Sequence, residues 1–192
     1  MQDQAGAPLT AAERTPTSTA GLPAGGRGRL RTRLAVIALV VLVLDQGTKA
    51  WALAALTPGQ PVEVIGSLIR LNLIRNPGAA FSLGDGSTWV LTVLSLVILV
   101  GVLVGARRVA NLPWAVALGL LLGGAVGNLV DRLVREPGPG RGHVVDFIDY
   151  FGWFVGNVAD IAIVGAAGFV MLLAHRGIAV GGPVHHPGHA DD

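Results

Sequence analysis

Residues Gly142–Asp160 read GHVVDFIDYFGWFVGNVAD and run directly into an apolar stretch, Ile161–Ala174. The segment holds three carboxylates, Asp146, Asp149 and Asp160, and the last stands at the lip of the apolar run. An acid at the edge of a membrane span is costly to keep there, so its presence points to function. The composition agrees with a membrane reading. The chain is 52% hydrophobic and only 14% charged, and its mean hydropathy is +0.61. A soluble domain carries about a quarter charged residues. Lys49 is the single lysine and there is no lysine-rich tract, which argues against nucleic acid as a partner. There is no cysteine, so disulfides, a thiol nucleophile and cysteine-held metal are excluded.

Working outward, the fourth span is expected from about Asn157 to Ala174, stopped by His175-Arg176. Before it, Arg135–Arg141 reads as a Pro/Gly loop that continues to Tyr150. A third helix starts at Pro113-Trp114 and runs to about Leu133. Its Gly119, Gly123 and Gly127 recur every fourth residue, which lets another helix approach closely. Trp89–Val104 forms a second apolar helix ended by Arg107-Arg108. Between Thr57 and Ser87 the period changes. Val62 and Val64, then Ile69, Leu71 and Leu73, alternate with polar residues, so a small sheet on the membrane is expected. Asn76–Ser82, NPGAAFS, makes a small-residue loop. The first span covers Leu34–Leu56, preceded by Arg27, Arg29, Arg31 and Arg33. A cleaved secretory signal is the alternative, but Asp45 and Lys49 interrupt its apolar run.

The expected fold is therefore an all-α membrane bundle of four transmembrane helices with a small extracytoplasmic sheet at about 57–87. Residues 1–33 and 177–192 are read as disordered cytoplasmic tails around a 34–176 domain. Arg27–Arg33, Arg107-Arg108 and Arg176 fall on one side if four helices alternate, which puts both termini in the cytoplasm. Arg70, Arg75, Arg135 and Arg141 fall outside that rule. Asp131, Asp146 and Asp160 then face outward.

Asp45 and Lys49 stand i, i+4 on one helix and can neutralise each other as a structural pair. Asn128, Asp131 and Arg132 form a helix-end polar cluster suited to holding the bundle or a ligand headgroup. Asp146 and Asp160, 14 residues apart (160 − 146), have no basic neighbour within a helix turn. Two carboxylates held close cannot both ionise easily, so one keeps a proton while its partner activates water. Other roles are open to them. With Asn157 as N-cap, Asp160 occupies N3, where an acid serves the helix amides. Asp146 reads equally as a loop acid, and Asp149 as its substitute. His143 alone on that face makes a histidine-rich zinc site a poor fit, and no G-x-S-x-G elbow occurs.

Five segments, in order, resemble the lipoprotein signal peptidase (signal peptidase II) family of bacterial membrane aspartic peptidases. They are Asp45–Lys49 (DQGTK), Asn76–Ser82 (NPGAAFS), Gly123–Arg132 (GGAVGNLVDR), Val144–Phe147 (VVDF) and Asn157–Asp160 (NVAD). The resemblance implies that Asp146 and Asp160 are the catalytic pair. It implies that Asn76, Gly78, Asn128, Arg132, Asn157 and Ala159 line or support the substrate site, with Asp45 and Lys49 in support. It implies a four-helix fold with an extracytoplasmic β-cradle in the bacterial cell (inner) membrane. The substrates implied are prolipoproteins, cut just before a diacylglyceryl-modified cysteine. Membrane lipids are the other partners; a monomer with no cofactor and no metal is expected. The last motif usually reads Phe-Asn-x-Ala-Asp, and Gly156 stands here for the phenylalanine. The rival reading is a small transporter or channel subunit with Asp45, Asp131 and Asp160 as an ion relay. It calls for an internal repeat, and none is visible.

Overall fold

The computed structural model describes residues 24–78 and 88–182 of the 192. The expectations for residues 1–23, for 79–87 within the sheet loop, and for the tail from 183 onward, with His185, His186 and His189, lie outside the described residues. Four helices are long and apolar enough to cross a membrane: α1 (Ala24–Ala55), α2 (Thr88–Ala106), α3 (Leu112–Val134) and α4 (Val158–His175). One antiparallel sheet accompanies them, built from β1 (Val62–Ile65), β2 (Ile69–Asn76), β3 (Val144–Tyr150) and β4 (Phe154–Gly156) in that spatial order.

α3 is the central helix, packed on α1, α4 and α2. It is 56% buried over its most apolar window, against 28% or less for the other three, which turn most of their side chains outward. The glycine stripe explains the closeness. A Cβ on Gly123 would lie 2.6 Å from the Ala38 carbonyl oxygen, and one on Gly127 would lie 2.5 Å from Asp45 Oδ2. A Cβ on Gly124, on the adjacent face, would lie 2.6 Å from the Ala159 carbonyl oxygen of α4. Helix–helix contact through small residues of this kind replaces the hydrophobic drive that lipid cannot supply. The sheet sits on the end of α1: Leu73, Val145 and Phe147 pack with Ala52, and the Trp51 and Phe147 rings meet edge-on at 6.2 Å.

Three expectations are corrected. Helix α1 begins at Ala24, ten residues ahead of Leu34 (34 − 24), so residues 24–33 are helix and not tail. Leu30 and Leu34 bury against Val102, Val109 and Leu118, and Arg31 donates to the Arg107 carbonyl at 2.9 Å. Tertiary packing thus holds a glycine-containing turn that propensity alone disfavours. Residues 144–150 are strand and not loop, so the sheet extends well beyond 57–87 and carries both Asp146 and Asp149. Residues 177–182 do not hang free. Ala110 N–H donates to Val180 O at 3.0 Å, Asn111 Nδ2 to Ala179 O at 3.0 Å, and Trp114 Nε1 to Ile178 O at 2.7 Å.

Candidate active site

Two polar assemblies meet where α1, α3, α4 and β3 converge. The first is an ion-paired cluster. Lys49 Nζ lies 2.8 Å from Asp45 Oδ2 and 2.9 Å from Asp131 Oδ2, all three side chains being fully buried. Asp131 Oδ1 also accepts from Arg135 Nε at 2.7 Å. The i, i+4 pair read from the sequence is present, but Lys49 serves two acids. Asp131 pairs with Lys49 and Arg135. Gln46 Nε2 completes the set with bonds to Asp45, the Gly127 carbonyl and Asp131.

Each acid of that cluster also grips a backbone amide of another element. Asp45 Oδ1 accepts from Ala159 N–H at 3.0 Å, one residue before Asp160. Asp131 Oδ2 accepts from Val145 N–H at 3.1 Å, one residue before Asp146. The cluster therefore positions both members of the second assembly through the main chain. Ala159, itself apolar, takes part by its N–H.

The second assembly is Asp146 and Asp160, held by neutral amides. Asp146 Oδ2 accepts from Asn76 Nδ2 at 2.8 Å, and Oδ1 from Asn157 Nδ2 at 2.6 Å. Asp160 Oδ1 accepts from Asn128 Nδ2 at 2.8 Å, and Oδ2 from the Asn157 N–H at 3.1 Å. Asn157 Oδ1 in turn accepts from Asp160 N–H at 3.0 Å, completing the capping box expected at the start of α4. Asn157 thus touches both acids, and the capping role and the pairing role of Asp160 coexist. The orientation of Asn76 is set by Gly78, whose N–H donates to Asn76 Oδ1 at 2.8 Å. Gly78 has φ +113 and packs against Leu91, so a side chain there would meet both backbone strain and Leu91. Asn128 Oδ1 accepts from Lys49 Nζ at 3.0 Å and Asn157 Nδ2 at 3.2 Å, joining the two assemblies.

Neither Asp146 nor Asp160 takes part in a salt bridge among the described residues, whereas Asp45, Asp131 and Asp149 all do. Burial raises the Asp146 carboxyl from the ordinary 3.8 to about 6, and the Asp160 charge adds to it against the opposing hydrogen bonds of Asn76 and Asn157. Amide donors favour the ionised form of one carboxylate without forcing both to ionise, so the pair has room for one proton. Both acids line a cleft of about 230 Å³ with Asn76, Asn128, Arg132 and Phe154. Arg132 lies within Coulombic reach of both. Its buried NH1 has no partner among the described residues and so remains available for an acceptor entering the cleft.

Asp149 is settled by its strand. It accepts from Arg70 NH2 at 2.6 Å and from Gly152 N–H at 2.8 Å, which ties down the turn after β3 and disqualifies it as a substitute for Asp146. Gly156 also finds an explanation. A Cβ there would lie 2.7 Å from the Phe154 ring and 3.0 Å from Asp160 Oδ2, so the aromatic two residues earlier occupies the space beside Asp160. The α2 contribution to the cleft, Leu91, Leu94, Ser95 and Ile98, had no signal in an apolar span beyond its lone serine.

These features define a polytopic membrane protein with two carboxylates, one buried and one half-buried, at the sheet end of its helix bundle. The family described as signal peptidase (SPase) II matches residues 37–176, and the chain belongs to that family. A lipoprotein signal peptidase of Mycolicibacterium smegmatis is 52% identical over 79% of this chain and 63% of that protein. One of Mycobacterium tuberculosis is 51% identical over 76% of this chain and 72% of that protein. One of Bifidobacterium longum is 47% identical over 83% of this chain and 87% of that protein. Among solved structures, a bacterial membrane enzyme determined by the in meso method at 1.9 Å is 28% identical, with a TM-score of 0.63, covering 73% of this chain and 91% of that one.

Proposed function

We propose that this chain is a membrane aspartic endopeptidase that removes the signal peptide from diacylglyceryl-modified prolipoproteins, cutting before the lipidated cysteine. The observation that carries the reading is the contrast in partners: Asp146 and Asp160 share Asn157 and have no salt bridge among the described residues, while Asp45, Asp131 and Asp149 are paired with cations. Asp146, raised to about 6, keeps the shared proton; Asp160 is the base. A water between them loses a proton to Asp160 as its oxygen attacks the scissile carbonyl carbon. The Asp146 proton passes to the carbonyl oxygen. On collapse of the tetrahedral intermediate, its hydroxyl proton returns to Asp146, and the proton on Asp160 goes to the departing cysteine nitrogen as the C–N bond breaks. Both acids are then ready for another cycle. Arg132 NH1 holds a peptide carbonyl of the substrate, and Asn76 and Asn128 fix the carboxylates.

The surroundings of Asp160 suit a lipidated substrate. The polar cleft lies on one side and an apolar groove of about 500 Å³, lined by Tyr150, Phe154, Ile161, Val164 and Gly165, on the other. Burying an acyl chain contributes ~0.8 kcal/mol per CH₂, so the lipid dominates recognition. The site faces outward and both termini are cytoplasmic; the protein acts as a monomer without metal. Purified protein in chelator is expected to cleave a diacylglyceryl-modified precursor far faster than the unmodified form. Equal rates on both forms, or none on either, would remove the reading. Reporter fusions after Arg108 are expected to read cytoplasmic and those near Pro139 external.

A further inference from the structure

Two hairpin tips at one end of the sheet carry no charged residue, and the Arg70–Asp149 ion pair stands one register position behind them. β1 and β2 are joined through Gly66-Ser67-Leu68, and β3 and β4 through Phe151-Gly152-Trp153. The tips are stitched together by Phe151 N–H donating to Leu68 O at 3.0 Å. Between them they expose Ile65, Leu68, Phe151, Trp153 and Phe154, with Trp153 93% exposed. Neither 65–69 (IGSLI) nor 150–156 (YFGWFVG) contains a charged residue, where a water-facing sheet end would carry charges to block association.

Phe151 adds a second observation. It is the only non-glycine residue at positive φ among the described residues, at φ 58. A bulky residue in that region is strained, and this one is also 60% exposed, so packing within the chain does not repay the strain. The turn is nonetheless held firmly. Gly152 N–H donates to Asp149, Arg70 pairs with Asp149, and Tyr150 stacks on Phe154 with centroids 6.1 Å apart. A rigid turn presenting unpacked aromatics is built for something outside the chain.

We infer that the two hairpin tips insert into the lipid–water interface of the bilayer the helices span. Continuity identifies the occupant. Trp153 lies five residues before the first residue of α4, and Phe154 leads through the groove of Tyr150, Ile161 and Val164 onto the outward face of that helix. The apolar surface of the tip and the lipid-facing surface of the span are one surface. Tryptophan with an apolar ring and a polar N–H is the side chain favoured at that depth. The anchored tip fixes the height of β3 over the bilayer. Its consequence for Asp146, four residues before Tyr150, rests on the catalytic reading above; the depth itself does not.

The cysteine-free chain makes the test direct. Trp153→Cys and Leu68→Cys, and as a reference Pro139→Cys in the exposed loop before β3, each carry an environment-sensitive fluorophore. Single chains are placed in nanodiscs of phosphatidylcholine and phosphatidylglycerol. Nitroxide is carried on the headgroup, at the top of the acyl chain, or at its end. At positions 153 and 68 the emission is expected to be blue-shifted, quenched most by nitroxide near the headgroup, and several-fold less accessible to iodide than at 139. Iodide quenching equal to that at 139 would overturn the inference. So would shielding that appears only with two copies per disc, which marks an interface between chains, or only with precursor added, which marks a substrate surface. Cleavage is not read, so failure of the catalytic reading leaves this result intact.

Discussion

The ion-paired cluster and the amide-held pair lie side by side yet treat their carboxylates in opposite ways. Asp45 and Asp131 are held in ion pairs, Asp45 with Lys49 and Asp131 with both Lys49 and Arg135. Among the described residues, the hydrogen bonds to Asp146 and Asp160 come from amide N–H groups, which orient an acid without the full charge of an ion pair. The cluster supplies rigidity, because its acids hold the amides of Val145 and Ala159 beside the pair. The pair supplies proton chemistry because neither acid is held in an ion pair among the described residues. A site needing one proton on two carboxylates must keep its lysine one shell away, and Asn128 provides that spacing between Lys49 and Asp160.

The largest effect should come from the pair. Asp146→Asn and Asp160→Asn are each expected to lower precursor cleavage by roughly 10³-fold or more. The double variant should be no worse than either single one, since residues acting as a unit are non-additive. Both proteins should still insert and fold. Residual cleavage within tenfold of the parent in a folded Asp146→Asn protein would dissolve the contrast.

Breaking the cluster should do the reverse. Lys49→Met leaves Asp45 buried without a cation and Asp131 with Arg135 alone, and is expected to cost ~3–5 kcal/mol of stability. The readout is a fall in yield and in the thermal midpoint, with a smaller loss of activity per folded molecule. Asp131→Asn should act likewise, by loosening Lys49 and Val145.

Titration sharpens the comparison. The Asp146 carboxyl is raised from 3.8 to about 6, so the folded chain binds its proton more tightly than the unfolded chain does. The resulting penalty is absent below the ordinary value, grows as pH rises from 3.8 to about 6, and stays constant above, reaching roughly 3 kcal/mol. The thermal midpoint of the parent should therefore gain on that of Asp146→Asn when pH is lowered from about 7 to about 5. Cleavage should decline on the alkaline side as the shared proton leaves and on the acid side as the base is protonated, with apparent values belonging to the pair. A parent-minus-variant difference independent of pH would show that Asp146 is not held as described.

The smallest effect is expected at Asp149. Its ion pair with a partly exposed Arg70 and its bond to Gly152 hold the β3–β4 turn, so Asp149→Asn should cost about 1 kcal/mol and reduce cleavage only a few-fold. Loss as deep as that in Asp146→Asn would give Asp149 a part in the pair.

What the strand containing these acids hid is instructive. β1 and β2 were legible from the alternation of Val62, Val64, Ile69, Leu71 and Leu73. β3 was not, because Val144–Phe147 is buried on both faces, between sheet neighbours and over α1 and α3, and so shows no alternation. Its acids, read beside the Pro/Gly loop, looked like loop acids. The start of α1 was equally hidden, since its glycines argue against helix and contact with α2 and α3 holds it.

The amino-acid order by itself determined the four spans, the glycine stripe of α3, the Asp45–Lys49 pair and the cap at Asn157. Each depends on hydropathy over a span's length or on residues within one helical turn. The tertiary structure alone decided which acids are neutralised and which are free. Lys49 reaches Asp131, Asn76 reaches Asp146 across 70 residues, and Asn157 touches both acids at once. Charge state in a buried site is set by through-space distance and by what has been desolvated, and neither is written in local spacing.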